Sequence, residues 1–319
     1  MPVKKSQVAS YKPQVIFITG PTGVGKTAIS VKLAKKIKGE IICCDSMQIY
    51  KGMDVLTAQP KKEELSNVAH RLFCIKKPTQ DFSVAQYRKL ALKEIKEIHK
   101  KGKIPVFTGG TGLYAQALLD GLFVSPPEDM ILRKELQDYA KKYGSKKLHD
   151  KLKKIDPVSA DNIHTNDLRR IIRAIEIYSL TGKTKSESKL ATSGGIFGKF
   201  NIFLFCLYYK KRNLLYDKIN SRVDEMFMNG VVKEIKQLVK LNLSKTAAQA
   251  LGIKQIKGFI ENRGTLEYAK EELKKDTRRY AKRQLSWFRR DKRFRWIALD
   301  GFKGHKAIVA MLVNVIKKT

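Results

Sequence analysis

The segment Gln14 to Thr19 (QVIFIT) is a short run of apolar, β-favouring residues, and from Thr27 to Lys38 the apolar positions change to helical spacing. A buried strand, a glycine loop and a helix are expected in that order. Ile41 to Cys44 and Ile104 to Thr108 read as two further buried strands, the second preceded by a strongly periodic helix from Val84 to Lys100. Strands alternating with helices imply a parallel sheet. From Glu128 to Leu180 the pattern holds short helices and no strand candidate, and the Gly-, Ser- and Lys-rich stretch Thr181 to Lys199 reads as a mobile loop. Asn201 to Tyr209 (NIFLFCLYY) returns to strand character. Helices are then expected at Arg212 to Met228, Val231 to Leu241, Gln249 to Ile260 and Leu266 to Arg290, with a last amphipathic helix near the C-terminus. The expected architecture is α/β: the first part of a parallel-sheet core over residues 1–122, an all-helical insertion domain over 123–199, and core completion with a helical C-terminal segment over 200–319.

A hydrophobic content of 43% over 319 residues is enough to bury such a core. Charge changes the picture more. Lys and Arg number 65 against 30 Asp and Glu, a net +35, well beyond what solubility requires, and a polyanion such as nucleic acid is the natural partner. A general lysine bias on the polar faces of amphipathic helices is the competing source of that excess. Cys43, Cys44, Cys74 and Cys206 form no CxxC pair and no zinc-like spacing with the five histidines, so a reducing, cytoplasmic setting is expected. The N-terminus lacks an apolar signal core, and the longest apolar stretch, Ile202 to Tyr209, is far short of a bilayer span, so no membrane role is expected.

The chemistry begins at GPTGVGKT, which is Gly20, Pro21, Thr22, Gly23, Val24, Gly25, Lys26 and Thr27. It fits G-x-x-x-x-G-K-[ST] with a strand before it and a helix after it. Glycines let backbone amides face phosphate oxygens, the helix N-terminus adds its positive end, Lys26 supplies a point charge and the Thr27 hydroxyl can ligate Mg2+. Such a loop serves many phosphate chemistries. An ordinary nucleotidase wants an acid at the end of a second core strand, yet the strand at Ile104 to Thr108 runs into TGGTGLY without one. The acid after the second strand is Asp45, in DSMQIY.

The ordered set GPTGVGKT, DSMQIYKGMDVLTAQP (from Asp45), GGTGLYAQALLDG (from Gly109), RRIIRAIEIYSLTGK (from Arg169), ALGIKQI (from Ala250) and AKRQLSWFRR (from Ala281) resembles the bacterial tRNA dimethylallyltransferase family across nearly the whole chain. The resemblance implies a phosphate-loop core of the P-loop NTPase-like kind, an insertion domain that grips the anticodon stem-loop, dimethylallyl diphosphate as donor, and a monomer. It implies transfer of the dimethylallyl group to the exocyclic N6 amine of the adenosine 3′-adjacent to the anticodon. Prenylation of free adenine nucleotides and a phosphate-loop kinase are the rivals; the insertion and the charge weigh against the first, and TGG in place of an acid-ended strand against the second.

By the same resemblance Asp45 is the general base, with Ser46, Met47 and Gln48 beside the target nucleotide and Arg222 on the diphosphate. A carboxylate suits the role because an exocyclic amine is a poor nucleophile until its proton is accepted. As in other phosphate-loop enzymes, Asp45 could instead serve Mg2+, and Arg222 could be a surface arginine paired with Asp224 or Glu225. Thr111 is assigned to tRNA contact, or else to a tight strand-to-helix turn. Arg169, Arg170 and Arg173 are assigned to RNA as well, Arg169 and Arg173 sharing a helix face from which they can straddle phosphates. Lys282, Arg283 and Arg289 stand in a basic helix whose Tyr280, Trp287 and Phe288 suit stacked bases, Trp287 being the one most suited to the core. Gln48, Lys254 and Gln255 are candidate readers of base edges. The base must be flipped out to reach Asp45. At Gln249 the chain departs from an arginine common in the family.

Overall fold

The structure, a computed structural model, describes residues 12–60, 62–65, 68–123, 126–190 and 194–318. The chain divides into two compact units, one made of Met1–Leu119 with Ile196–Thr319 and the other of Asp120–Gly195.

The first unit holds a six-stranded sheet ordered β3-β2-β4-β1-β5-β6, every neighbouring pair parallel. The strands are β1 (Gln14–Thr19), β2 (Gly39–Cys43), β3 (His70–Arg71), β4 (Ile104–Gly109), β5 (Asn201–Tyr208) and β6 (Arg295–Ala298). In β1 successive side chains alternate between faces, which puts Val15 and Phe17 in one apolar cluster and Ile16 and Ile18 in another on the opposite face. All four are fully buried, so each contributes about 1.5–3 kcal/mol of burial. That two-sided burial is why the strand reads as an unbroken apolar run. Phe17 stacks on Phe107 of β4 with ring centroids 4.6 Å apart, fixing the register of the two central strands.

The helices before the second unit are α1 (Lys26–Ile37), α2 (Asp54–Thr57), α3 (Lys62–Leu65), α4 (Val84–Lys100) and α5 (Gly112–Leu119). At the start of α4 the Ser83 hydroxyl accepts from the Gln86 amide while Gln86 Oε1 accepts from the Ser83 amide, a reciprocal cap. Its buried stripe is Tyr87, Ala91, Ile95 and Ile98. The sequence reading places β1, β2, β4, β5 and α4 well. It misses β3, β6, α2, α3 and α5.

Among the described residues of the second unit the regular elements are helices, α6 (Met130–Tyr143), α7 (Ser145–Ile155), α8 (Pro157–Asn162), α9 (Leu168–Thr181) and α10 (Lys185–Leu190), beside an isolated antiparallel bridge between Gly121 and Gly194. Leu148, Leu152, Ile171 and Ile172 form its core. Glu176 of α9 is fully buried and accepts from the Asp129 amide and from the guanidiniums of Arg133 and Arg173. Burial pushes its carboxyl up, but the two arginines outweigh that and hold it below the usual range. The expected mobile loop Thr181 to Lys199 instead contains α10, whose start is fixed by Asp156 accepting from the Ser186 amide and hydroxyl; residues 191–193 lie outside the described ones.

The chain then completes the first unit with β5 and with α11 (Arg212–Met228), α12 (Val231–Leu238), α13 (Ile253–Ile260), α14 (Leu266–Arg289) and α15 (Gly304–Lys317). The helix expected from Gln249 is in fact a single 3-10 turn, Ala247–Gln249, followed by α13, because Gly252 at φ 105 breaks the run.

Candidate active site

Because β4 lies between β2 and β1, the loops leaving the C-terminal ends of these three strands are neighbours, the place where open α/β sheets hold ligands. After β1 comes the phosphate loop, which turns through Gly25 at φ 86 into α1. After β2 comes Asp45, and after β4 Thr111. Asp45 Oδ1 accepts from the Met47 amide at 2.9 Å, a local turn that orients the carboxylate. The Thr111 hydroxyl oxygen accepts from the Ser46 amide at 2.9 Å, so Thr111 braces this loop rather than lining the cavity beside it.

A cavity of about 530 Å³ opens over these loop ends. Its polar side holds Thr22, Gly23, Gly25, Lys26 and Thr27 from the phosphate loop, then Asp45, Ser46, Met47 and Gln48, and Arg222 from α11. Leu56, Val223, Met226, Ala250, Leu251 and Leu273 make an apolar wall. Thr277, Tyr280, Arg283 and Gln284 of α14 also line it. Gly20, Pro21 and Val24 of the loop are buried and do not line the cavity.

Lys26 Nζ donates to the carbonyls of Gly20 and Pro21, at 3.0 and 2.8 Å. Burial, with help from Arg222, brings its pKa down to about 8 against the opposing pull of Asp45. Arg222 is lowered too, by burial, with Asp45 and Glu225 opposing, and it donates to the Thr57 carbonyl at 3.3 Å. Asp224, one of the two surface partners considered for it, instead pairs with Lys270 and Lys274 at 2.9 and 3.0 Å. Two cations crowded round one carboxylate suit an anionic ligand. The Tyr280 phenol is pushed up by burial first and by Asp45 second, so it stays a neutral donor.

Other sequence-predicted residues fall elsewhere. Gln48 lines the cavity but its amide donates to the Thr57 and Ala58 carbonyls at 3.2 and 2.9 Å. Gln255 is committed to structure: its Oε1 accepts from the Gly252 amide at 3.0 Å and its Nε2 donates to Asp276 at 2.8 Å. Lys254, Lys282 and Arg289 are exposed, as are Arg169 and Arg170 in the second unit. Arg173 does not join Arg169 on an outer face; it turns to Glu176 and to the Pro126 carbonyl. Trp287 packs against the core and Phe288 is 1% exposed within it, which leaves Tyr280 as the aromatic of that trio facing the cavity.

Among the described residues no cluster of three His, Cys, Asp or Glu side chains is placed to hold a metal. The Thr27 hydroxyl is a single hard oxygen donor, which fits Mg2+ taking its other ligands from phosphate and water. No helix among the described residues is long and apolar enough to cross a membrane.

The family model for IPP transferase matches residues 48–291. The tRNA dimethylallyltransferase of Thermoanaerobacter sp. (strain X514) is 43% identical over 307 residues, 95% of this chain and 96% of its own. That of Carboxydothermus hydrogenoformans is 48% identical over 288 residues, 89% and 91% of the two chains. The crystal structure of the tRNA isopentenylpyrophosphate transferase from Bacillus halodurans shares 39% identity at a TM-score of 0.68, covering 96% of this chain and 98% of that one. A eukaryotic dimethylallyltransferase acting on tRNA shares 31% at 0.69, covering 86% and 70%.

Proposed function

The chain belongs to the IPP transferase family, and from that premise we propose that it transfers a dimethylallyl group from dimethylallyl diphosphate to the N6 amine of the adenosine 3′-adjacent to the anticodon of tRNA. The observation that carries this reading is one cavity holding Lys26 and Arg222, Asp45 and an apolar wall, matching the diphosphate, the amine and the hydrocarbon of the reactants.

In this reading the amides of the phosphate loop, Lys26 and Arg222 receive the diphosphate. Lys26 exchanges the Gly20 and Pro21 carbonyls for phosphate oxygens, and Arg222 adds charge where the leaving group becomes more negative. Mg2+, held through Thr27, would supply further neutralisation of the diphosphate when bound. The carbon–oxygen bond of the donor breaks as the N6–carbon bond forms, pyrophosphate departs with the electron pair, and the N6 proton passes to the Asp45 carboxylate. Leu56, Val223 and Met226 give the allylic chain a dry surface, which keeps water from intercepting a carbon with cationic character. Arg169 and Arg170 serve the anticodon stem-loop, with Lys254, Lys282, Arg283 and Arg289 as further RNA contacts. The protein acts as a cytoplasmic monomer.

Incubation with labelled dimethylallyl diphosphate and either tRNA or AMP, followed by mass spectrometry of anticodon-loop nucleosides, tests the reading. Label on the adenosine next to the anticodon is expected. Label on AMP, or ATP hydrolysis without prenyl transfer, rejects it. Asp45→Asn keeps an oxygen for the Met47 amide but loses the base, and its single-turnover rate is expected to fall by about 10²–10⁴ with RNA affinity preserved.

A further inference from the structure

Gln284 stands on α14, far along the chain from the phosphate loop, yet its side chain is only 5% exposed and both ends of its amide are engaged. Oε1 accepts from the Thr22 amide at 2.8 Å, and Nε2 donates to the Gly110 carbonyl at 3.0 Å. Exchanging the two ends would set donor against donor and acceptor against acceptor, so the network fixes the orientation. The two backbone groups belong to different loops. Thr22 is part of the loop that grips the diphosphate, while Gly110 precedes Thr111, whose hydroxyl holds the Ser46 amide next to Asp45. There is no slack between them: a Cβ at Gly110 would stand 2.0 Å from Gln284 Nε2 and 3.2 Å from the Gly20 carbonyl oxygen.

We infer that Gln284 is a positioning residue that sets the separation between the phosphate loop and the Asp45 loop, and so governs turnover more than the binding of either substrate. The inference rests on the dimethylallyl-transfer reading. In-line displacement needs the reacting carbon and the amine at near-contact distance, and a displacement of about 1 Å costs on the order of 10²-fold in rate. Glutamine is suited to the task because it offers one acceptor and one donor without charge. Glutamate would keep the bond to Thr22, lose the one to Gly110 and place a negative charge beside the diphosphate.

Two independent perturbations test it, each read as kcat and KM for the donor together with Kd for an anticodon stem-loop. Gln284→Met keeps the length and removes both bonds; Gly110→Ala retains the glutamine but pushes its amide aside. In both, kcat is expected to fall about ten- to a hundredfold while donor KM and stem-loop Kd move less than about threefold. Gln284→Glu is expected to raise donor KM as well. Unchanged kcat in Gln284→Met, or loss of stem-loop binding in step with kcat, overturns the inference and leaves Gln284 a packing residue. Wild-type protein that prenylates no RNA sinks the functional reading instead; active wild type with an unimpaired Gln284→Met sinks only the role of Gln284.

Discussion

At the scale of single residues, the site keeps its lysine poised. With a pKa brought down to about 8 by burial, Lys26 in the empty protein loses its charge as pH rises through that value. Binding of pyrophosphate or donor is therefore expected to weaken above pH 8, which calorimetric titration across pH 7–9.5 would measure. Stability runs the opposite way. The unfolded chain holds the lysine proton to about 10.5 while the folded one releases it near 8, so between these values the unfolded state binds more protons and folding gains with pH. A Lys26→Met variant is expected to flatten both trends. A donor affinity that stays level across pH 8 in the wild type would show that this lysine carries no part of the anion binding.

At the scale of elements, α5 and α14 fit closely. A Cβ on Gly112, the first residue of α5, would meet the Trp287 ring at 2.1 Å. Gly112→Ala is expected to destabilise by about 1–3 kcal/mol through overpacking, more than the roughly 1 kcal/mol that alanine brings to a helix interior and gives less fully at a first position. The midpoint of urea unfolding reads the difference. Elements with a sustained apolar pattern were legible in the sequence: β1, α4 and α11 stand where that pattern puts them. The misses have physical causes. β3 and β6 are two and four residues long, too short to carry a period, and exist because neighbouring strands offer them a ladder. The start of α5 is written Gly-Gly-Thr-Gly, which reads as a turn when the tryptophan that requires Gly112 is out of view. The phosphate loop and Asp45 were visible as motifs, whereas the apolar wall is assembled from α2, α11, α14 and the stretch before α13, and no local pattern announces it. In the sequence Gln284 is one more polar residue on a basic helix. Its signal was positional, since Thr277, Ala281, Gln284 and Phe288 share the buried stripe of α14, where a glutamine has to find partners.

At the scale of the whole molecule, a net +35 sets the response to salt. If that charge meets phosphates, affinity for an anticodon stem-loop falls steeply with ionic strength. The double variant Arg169→Ala, Arg170→Ala is expected to reduce the log–log salt slope by about 0.7–0.9 for each phosphate contact removed, with donor binding unchanged. Filter binding over a salt series measures the slope, and an unaltered one would assign these two arginines to a solvated face. The order of the sheet carries a further consequence, for synthesis rather than for binding. β1 is flanked by β4, made before the second unit, and by β5, made after it. On a translating ribosome the open flank of β1 waits through the growth of residues 20–200, some tens of seconds at about 5–20 residues per second. Throughout that interval an apolar strand edge is uncovered in the nascent chain, where chaperone attendance is expected to matter.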